Sequence, residues 1–366
     1  MEDNFMKNEK STTPLLRSFD VKNPVIGTAE EEWMPHATMS EKTTEWWYLT
    51  ALLQDCVGRN YFLFFTASLW SGKTWREHMH AKAVSGERMA LLSGRFRDYG
   101  RSQHLTYYKM EDVPDASLWD AQRNTISFHM DKYRADWSYD GGRMDLSLKT
   151  DALEYALTID GREAIWHKDK LGHLGMIQQG DPDDFSFYNT IMRGGMEGSL
   201  SYKDDKGEKQ LLRLTGDAYI DHQWGDFLCL CYEWTSFRFA NGARLHLYNF
   251  YNGHQEAVYL SSDGKVHYFD GVTIRQNGYA KSPKLGIWVS HGWSYEFPIE
   301  IEGSKKYTVT PFDKDDFMEV IELKLAGFSG PGTLVNDATG EVVGVAVNES
   351  CDIRGMKNGP YDVNQR

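Results

Sequence analysis

Residues 45–53, Glu45-Trp46-Trp47-Tyr48-Leu49-Thr50-Ala51-Leu52-Leu53, and 61–70, Tyr61-Phe62-Leu63-Phe64-Phe65-Thr66-Ala67-Ser68-Leu69-Trp70, set the terms for the fold. Both are short and rich in aromatic residues, and Gly58 lies between them, which is how strands read. Similar runs recur at 125–130, 144–150 and 153–159, with Asp140-Gly141-Gly142 and Asp160-Gly161 as turn signals. In the second half, 227–239 and 244–251 flank Ala240-Asn241-Gly242-Ala243, a two-residue hairpin signal. Asp263-Gly264 marks a further turn between 257–260 and 266–269. Long helical periodicity is absent, and only short helical pieces are expected, around 112–120 and 313–318. The reading is all-β, with antiparallel barrels or sandwiches. The polar, Gly-containing stretch 178–184 is the candidate linker or long loop, and two β-rich units, 20–190 and 191–355, are the simplest division.

The 366 residues carry 40 Lys and Arg against 53 Asp and Glu, a formal charge of −13, with no basic arm or basic aromatic face. That disfavours a nucleic-acid partner. Aromatic residues make up 14% of the chain, a load suited to lining a pocket for an apolar ligand. Four cysteines, at 56, 229, 231 and 351, are too few for a disulfide framework and read as reduced thiols. No signal-peptide core and no run of 18 apolar residues is present, so the expectation is a soluble, cytoplasmic protein. His78 and His80 share one strand face at a spacing compatible with metal, but no third ligand is near in sequence, and no metal is expected. G-x-S-x-G, G-x-G-x-x-G and P-loop elements are all missing, which excludes a nucleophile elbow and gives no reason to expect a nucleotide cofactor.

Three patterns converge on one resemblance: Glu45-Trp46-Trp47-Tyr48-Leu49-Thr50, then Gly216-Asp217-Ala218-Tyr219-Ile220-Asp221-His222-Gln223-Trp224-Gly225, then Trp288, Trp293 and Phe297-Pro298-Ile299-Glu300-Ile301. Together they resemble the carotenoid hydratase (hydroxyneurosporene synthase) and AttH-like family over roughly 30–355. The resemblance implies two lipocalin-like antiparallel β-barrels packed together, a hydrophobic small molecule bound at their interface, and no cofactor. In the hydratase branch, water adds across an isoprenoid C=C bond, and distant fungal relatives cyclise polyenes. The family's His and Trp match His222 and Trp224, and its downstream Tyr matches Tyr248. The carboxylate that family members place two residues later has no counterpart, because position 250 is Phe.

Hydrating an alkene requires a proton donor, aromatic faces to stabilise the carbocation and a positioned water. With a two-residue Asn241-Gly242 turn, Tyr248 pairs with Thr235 and Phe250 with Glu233. Glu233 is then the substitute acid, the alternative being a solvent-facing or salt-bridged Glu. Asp221 either orients His222 or bonds the following loop, and Asp-His-x-Trp-Gly is either catalytic or a structural corner. Glu45 either lines the pocket floor or bonds backbone. The expected walls are Trp46, Trp47, Trp224, Trp234, Asn249, Phe250 and Tyr251, with His222, Glu233, Tyr248 and Asp221 as the reacting groups. The leading expectation is a cofactor-independent enzyme that cyclises, isomerises or hydrates C=C bonds of a polyene, isoprenoid or polyketide-like molecule. The competing expectation is a lipocalin-like carrier that leaves its ligand unchanged.

Overall fold

A strand with apolar residues at successive positions, not every second one, is buried on both faces, and Asn60–Ser71, with its run 61–65, is such a strand. Its Leu63, Phe65 and Leu69 point into one core while Phe62 and Phe64 point into another. The computed structural model describes residues 29–36, 43–71, 88–112, 119–120, 123–162, 164–168, 175–179, 184–227, 232–250, 253–321 and 325–351.

Among the described residues, thirteen strands between Thr43 and Asp226 form one antiparallel sheet, and ten between Tyr232 and Cys351 form a second. A two-stranded ribbon, Tyr279–Lys281 with Trp288–Ser290, stands apart. The first sheet curls until Gln103–Asp112, near one end, meets Thr125–Met130, near the other. Its interior holds Trp47, Leu49, Phe65, Trp137, Leu146 and Ile220. The second sheet encloses Phe237, Leu247, Trp293, Tyr295, Tyr307 and Phe328. A third cluster lies between the two barrels, where Tyr48, Phe64, Tyr188 and Tyr219 of the first meet Trp234, Tyr248 and Val347 of the second. The protein is thus a pair of antiparallel β-barrels that share an aromatic seam. Among the described residues only Ala29–Trp33 is helical, and no helix is long and apolar enough to cross a membrane.

Several local expectations need correction. The stretch 313–318 is not helical: it is a turn running into the strand Phe317–Val320. Of 112–120, residues 113–118 lie outside the described residues, and 119–120 are a strand. Of the two readings of 178–184, linker or long loop, its described ends take the second. Gln178 pairs with Phe185, and Gln179 N–H donates to Asp184 O at 2.7 Å, so it is the loop of a hairpin within the first sheet. By sheet membership the change of barrel falls between Asp226 and Tyr232, beyond the expected boundary at 190. Cys229, Cys231, His78, His80 and Tyr251 lie outside the described residues.

The Asn-Gly hairpin is real, but its loop has three residues. Phe239 N–H donates to Ala243 O at 3.1 Å, Gly242 N–H donates to Phe239 O at 3.0 Å, and Gly242 sits at φ +93°. A type I turn closed by a left-handed glycine serves an Asn-Gly pair as well as the two-residue turn does. The extra residue shifts the register by one, so Trp234 pairs with Tyr248, Tyr232 with Phe250 and Glu233 with Asn249. A slip of one residue moves a side chain to the other face of the sheet. Glu233 therefore points into the second barrel, where Gln276 Nε2 (2.8 Å), Trp293 Nε1 (3.1 Å) and Ser290 Oγ (3.2 Å) donate to its Oε1. It is buried, but it does not sit beside Tyr248. Asn249 shares that face and accepts from Gln255 Nε2 at 2.8 Å.

The Asp-His-x-Trp-Gly segment lies inside the long strand Lys209–Asp226, flanked by Thr43–Gln54 on one side and Phe185–Lys203 on the other. Its His222 and Trp224 face the first barrel's interior, where the segment after the short helix closes the barrel end. Glu45 sits at the centre. It accepts from the His36 backbone N–H (3.0 Å), His36 Nδ1 (2.8 Å), His222 Nε2 (3.0 Å) and Arg88 Nη2 (3.0 Å). Trp47 stacks on His222 at 4.7 Å and donates through Nε1 to Trp33 O at 3.1 Å. Trp224 stacks on His36 at 3.8 Å and donates to Glu32 Oε2 at 3.2 Å. Burial alone would raise the Glu45 carboxyl, but the charge of His36 and the hydrogen bonds of both imidazoles outweigh it and hold it at about 2.

Two tests follow from these packings. A Cβ at Gly242 meets nothing within 4 Å, so Gly242→Val costs only backbone strain, about 1–3 kcal/mol in urea unfolding. Gly242→Asn costs less, because Asn tolerates the left-handed region, and a Val variant as stable as the parent contradicts the three-residue loop. Glu45→Gln leaves the buried Arg88 without its counter-charge and lowers stability by about 3–5 kcal/mol. Because the folded carboxyl titrates near 2 and its ordinary value is 4.5, the stabilisation is complete above 4.5 and drains as pH falls through 2. Acid titration of unfolding checks this, and the Gln variant loses less over that window.

Candidate active site

On strands buried on both faces, the neighbours of interior residues must face the other core. From Thr43–Gln54, Trp46 and Tyr48 point into the seam. From Phe185–Lys203 comes Tyr188, and from Lys209–Asp226 come Tyr219 and Asp221. The second barrel answers with Tyr232 and Trp234, Tyr248, and Glu349 of the strand Glu341–Cys351. Trp234 pairs with both Tyr248 and Glu349, so the three lie side by side on one face.

These residues other than Tyr219, with Phe64, Trp70 and Cys351, wall a cavity of about 110 Å3. A neighbouring space of about 530 Å3 shares Phe64, Ser93 and Met318 with it, and Arg95, His104 and Lys284 line that space. The rings of the seam meet edge to face, Tyr48 to Trp234 at 5.3 Å and Tyr232 to Tyr248 at 5.2 Å, and Tyr248 stacks on Phe250 at 4.4 Å.

Two carboxyls face this aromatic space. Asp221 Oδ1 accepts from Trp46 Nε1 at 3.2 Å and its Oδ2 from Tyr188 OH at 3.0 Å. Glu349 Oε2 accepts from Tyr48 OH at 3.2 Å and its Oε1 from Tyr232 OH at 2.5 Å. Burial pushes the Asp221 carboxyl well above its ordinary range. Hydrogen bonds from Tyr188, Tyr219 and Trp46 oppose that rise, and the Glu349 carboxylate adds to it. Burial raises Glu349 as well, against hydrogen bonds from Tyr232 and Tyr48. Burial therefore favours the protonated form of both carboxyls, among aromatic faces that stabilise positive charge.

Of the residues expected from sequence, Asp221, Trp46, Trp234 and Tyr248 meet at this cavity, and Phe250 packs behind Tyr248. His222, Trp224, Trp47 and Glu45 form the first-barrel cluster, and Glu233 and Asn249 face the second barrel. Asp221 does not orient His222, because the two project from opposite faces of their strand. Glu349, Tyr188 and Tyr232 were missed. Glu349 showed in the sequence only as the middle of Asn348-Glu349-Ser350, and its available signal was a carboxylate two residues after Val347, at the same parity, in the buried end of an apolar strand.

The AttH-like family profile matches residues 31–344. No curated protein matches the sequence. Among solved structures, a putative AttH from Nitrosomonas europaea superposes with a TM-score of 0.69 at 14% identity, covering 90% of this chain and 98% of that one. Kievitone hydratase from Nectria haematococca gives 0.62 at 13% identity, covering 90% and 94%. CghA, solved with Sch210972, gives 0.50 at 12% identity, covering 90% and 93%. At such identities these likenesses speak to the fold, while the profile spans most of the sequence: the chain belongs to the AttH-like family.

Proposed function

We propose that the protein is a cofactor-independent enzyme of the hydratase or cyclase type that acts on C=C bonds of a hydrophobic polyene, isoprenoid or polyketide-like molecule bound in the seam. The observation that carries this reading is the pair Asp221 and Glu349, two buried carboxyls with raised proton affinity on the walls of an aromatic cavity. The names of two structural neighbours, kievitone hydratase and CghA, give it support by analogy. In this reading Asp221 takes the place given from sequence to Glu233, and its oxygens stay tied to Trp46 Nε1 and Tyr188 OH throughout.

Asp221 gives its proton to one alkene carbon, and the π pair forms the new C–H bond and leaves a cation on the adjacent carbon. Tyr48, Trp234 and Tyr248 present ring faces and edges around that charge, while Trp46 and Tyr188 hold the new carboxylate. For hydration, a water hydrogen-bonded to Glu349 adds to the cation and returns a proton to the Asp221 carboxylate, which restores the acid. For cyclisation or isomerisation, a second C=C attacks the cation or a neighbouring C–H proton is lost, and the same carboxylate recovers a proton. The reacting segment occupies the aromatic cavity, and the adjoining larger space takes the rest of the molecule.

Incubation with a panel of such substrates, followed by mass spectrometry, gives a product of equal mass or one water heavier. Every ligand returned unchanged is the result of a carrier. Asp221→Asn keeps the shape and removes the acid, lowering turnover by about 10²–10⁴-fold with binding little changed. Since the donor must be protonated, the parent's rate holds at pH values where an ordinary carboxyl is ionised and falls as pH rises through the elevated Asp221 titration. That limb disappears from the residual activity of Asp221→Asn.

A further inference from the structure

The structure holds two clusters of two histidines and one glutamate, one inside the first barrel and one in the seam, and the clusters differ in one respect. Glu45, between His36 and His222, has its positive partner in Arg88. Glu256, between His167 and His246, has no lysine or arginine partner among the described residues, and its ion-pair contacts are the two imidazoles alone. All three side chains are buried.

The geometry of this second cluster is directional. His167 follows the short strand Ala164–Trp166, His246 lies on Arg244–Phe250, and Glu256 lies on the adjacent Gln255–Leu260. Both imidazoles turn Nδ1 to the carboxylate, His167 at 2.6 Å from Oε1 and His246 at 3.7 Å from Oε2. Both are held from behind through Nε2, His167 by Thr190 Oγ1 at 3.2 Å and His246 by Tyr188 OH at 3.1 Å. Tyr188 has one proton, and it goes to Asp221 when Oδ2 is the unprotonated oxygen of that carboxyl. The His246 contact must then run from its Nε2–H to the phenol oxygen, which leaves Nδ1 with a bare lone pair. That lone pair faces Glu256 Oε2, and neither atom has a hydrogen-bond partner. Two buried electron pairs pointed at each other call for positive charge between them. At 3.7 Å they are too far apart to share a proton in a hydrogen bond, whereas a metal ion spans that gap. Histidines fixed through the distal ring nitrogen, with a carboxylate alongside, are the donor set of a zinc-class ion.

We propose that His167, His246 and Glu256 form a divalent transition-metal site of the Zn2+ class, bound through the two Nδ1 atoms and the carboxylate. The three ligand atoms lie within 4.8 Å of one another, so side-chain adjustment suffices for one ion to reach all three at bonds of about 2.0–2.2 Å. None of the three lines the aromatic cavity, so the ion acts through position. It fixes the His246 tautomer, which directs the Tyr188 proton to Asp221. The proposal stands apart from the catalytic reading, because a carrier with this seam would bind the ion equally well.

The test uses the full chain, stripped with a chelator, dialysed and titrated with Co2+ alone. One equivalent binds, with the visible absorption of a four- or five-coordinate N2O site, and Zn2+ displaces it. Glu256→Gln and His246→Gln abolish the absorption while circular dichroism retains the β signal. Thr190→Val, which removes only the hydrogen bond behind His167, weakens binding by about 10–100-fold. His36→Gln, in the other cluster, leaves the stoichiometry at one. A parent chain that binds no Co2+ or Zn2+ overturns the proposal, and so does binding that survives Glu256→Gln and His246→Gln together.

Discussion

Asp221 and His222 are adjacent in the chain and belong to different chemical environments, because a strand sends consecutive side chains to opposite faces. The strand Lys209–Asp226 is buried on both faces along its second half, so it serves two cores at once. One face seals the first barrel with His222 and Trp224, and the other carries Tyr219 and Asp221 into the seam. Thr43–Gln54 obeys the same rule alongside it, with Glu45 and Trp47 inward and Trp46 and Tyr48 outward. The site and the barrel plug are two sides of one wall.

That shared wall explains the division of labour among buried ionisable groups. Inside the first barrel, Glu45 is surrounded by donors and by Arg88, and its charge is settled by partners that hold the barrel end shut. In the seam, Asp221 and Glu349 have neutral phenol and indole donors and, among the described residues, no facing cation in hydrogen-bond contact, so burial governs them and favours the protonated form. A saturated cluster gives stability, and an undersupplied one keeps a proton ready for transfer.

Much of this was legible in the sequence. Aromatic runs with Gly punctuation, such as 61–70, carried the all-β antiparallel fold, and the Glu-Trp-Trp-Tyr and Asp-His-x-Trp-Gly pair carried the family. Asp221, Trp46, Trp234 and Tyr248 were named and do line one cavity. What could not be read was parity. Nothing in Asp221-His222 says which face turns to the seam, since both faces are buried and both are polar at that point. The Glu233 assignment failed on one residue of turn length, because Asn241-Gly242 suits a two-residue and a three-residue loop alike. Glu349 lies more than a hundred residues from Tyr48 and Tyr232, and only the pairing of Tyr232–Phe239 with Glu341–Cys351 brings it to the site.

The account's central claim is that the ligand enters the seam between the barrels, on the Asp221 side of the shared wall. A crystal structure of the protein soaked with an apolar polyene measures this directly. The account predicts ligand density between Asp221 and Glu349, against Tyr48, Trp234 and Tyr248. Density inside the first barrel beside His222 and Trp224, with the seam left as it was, would contradict it.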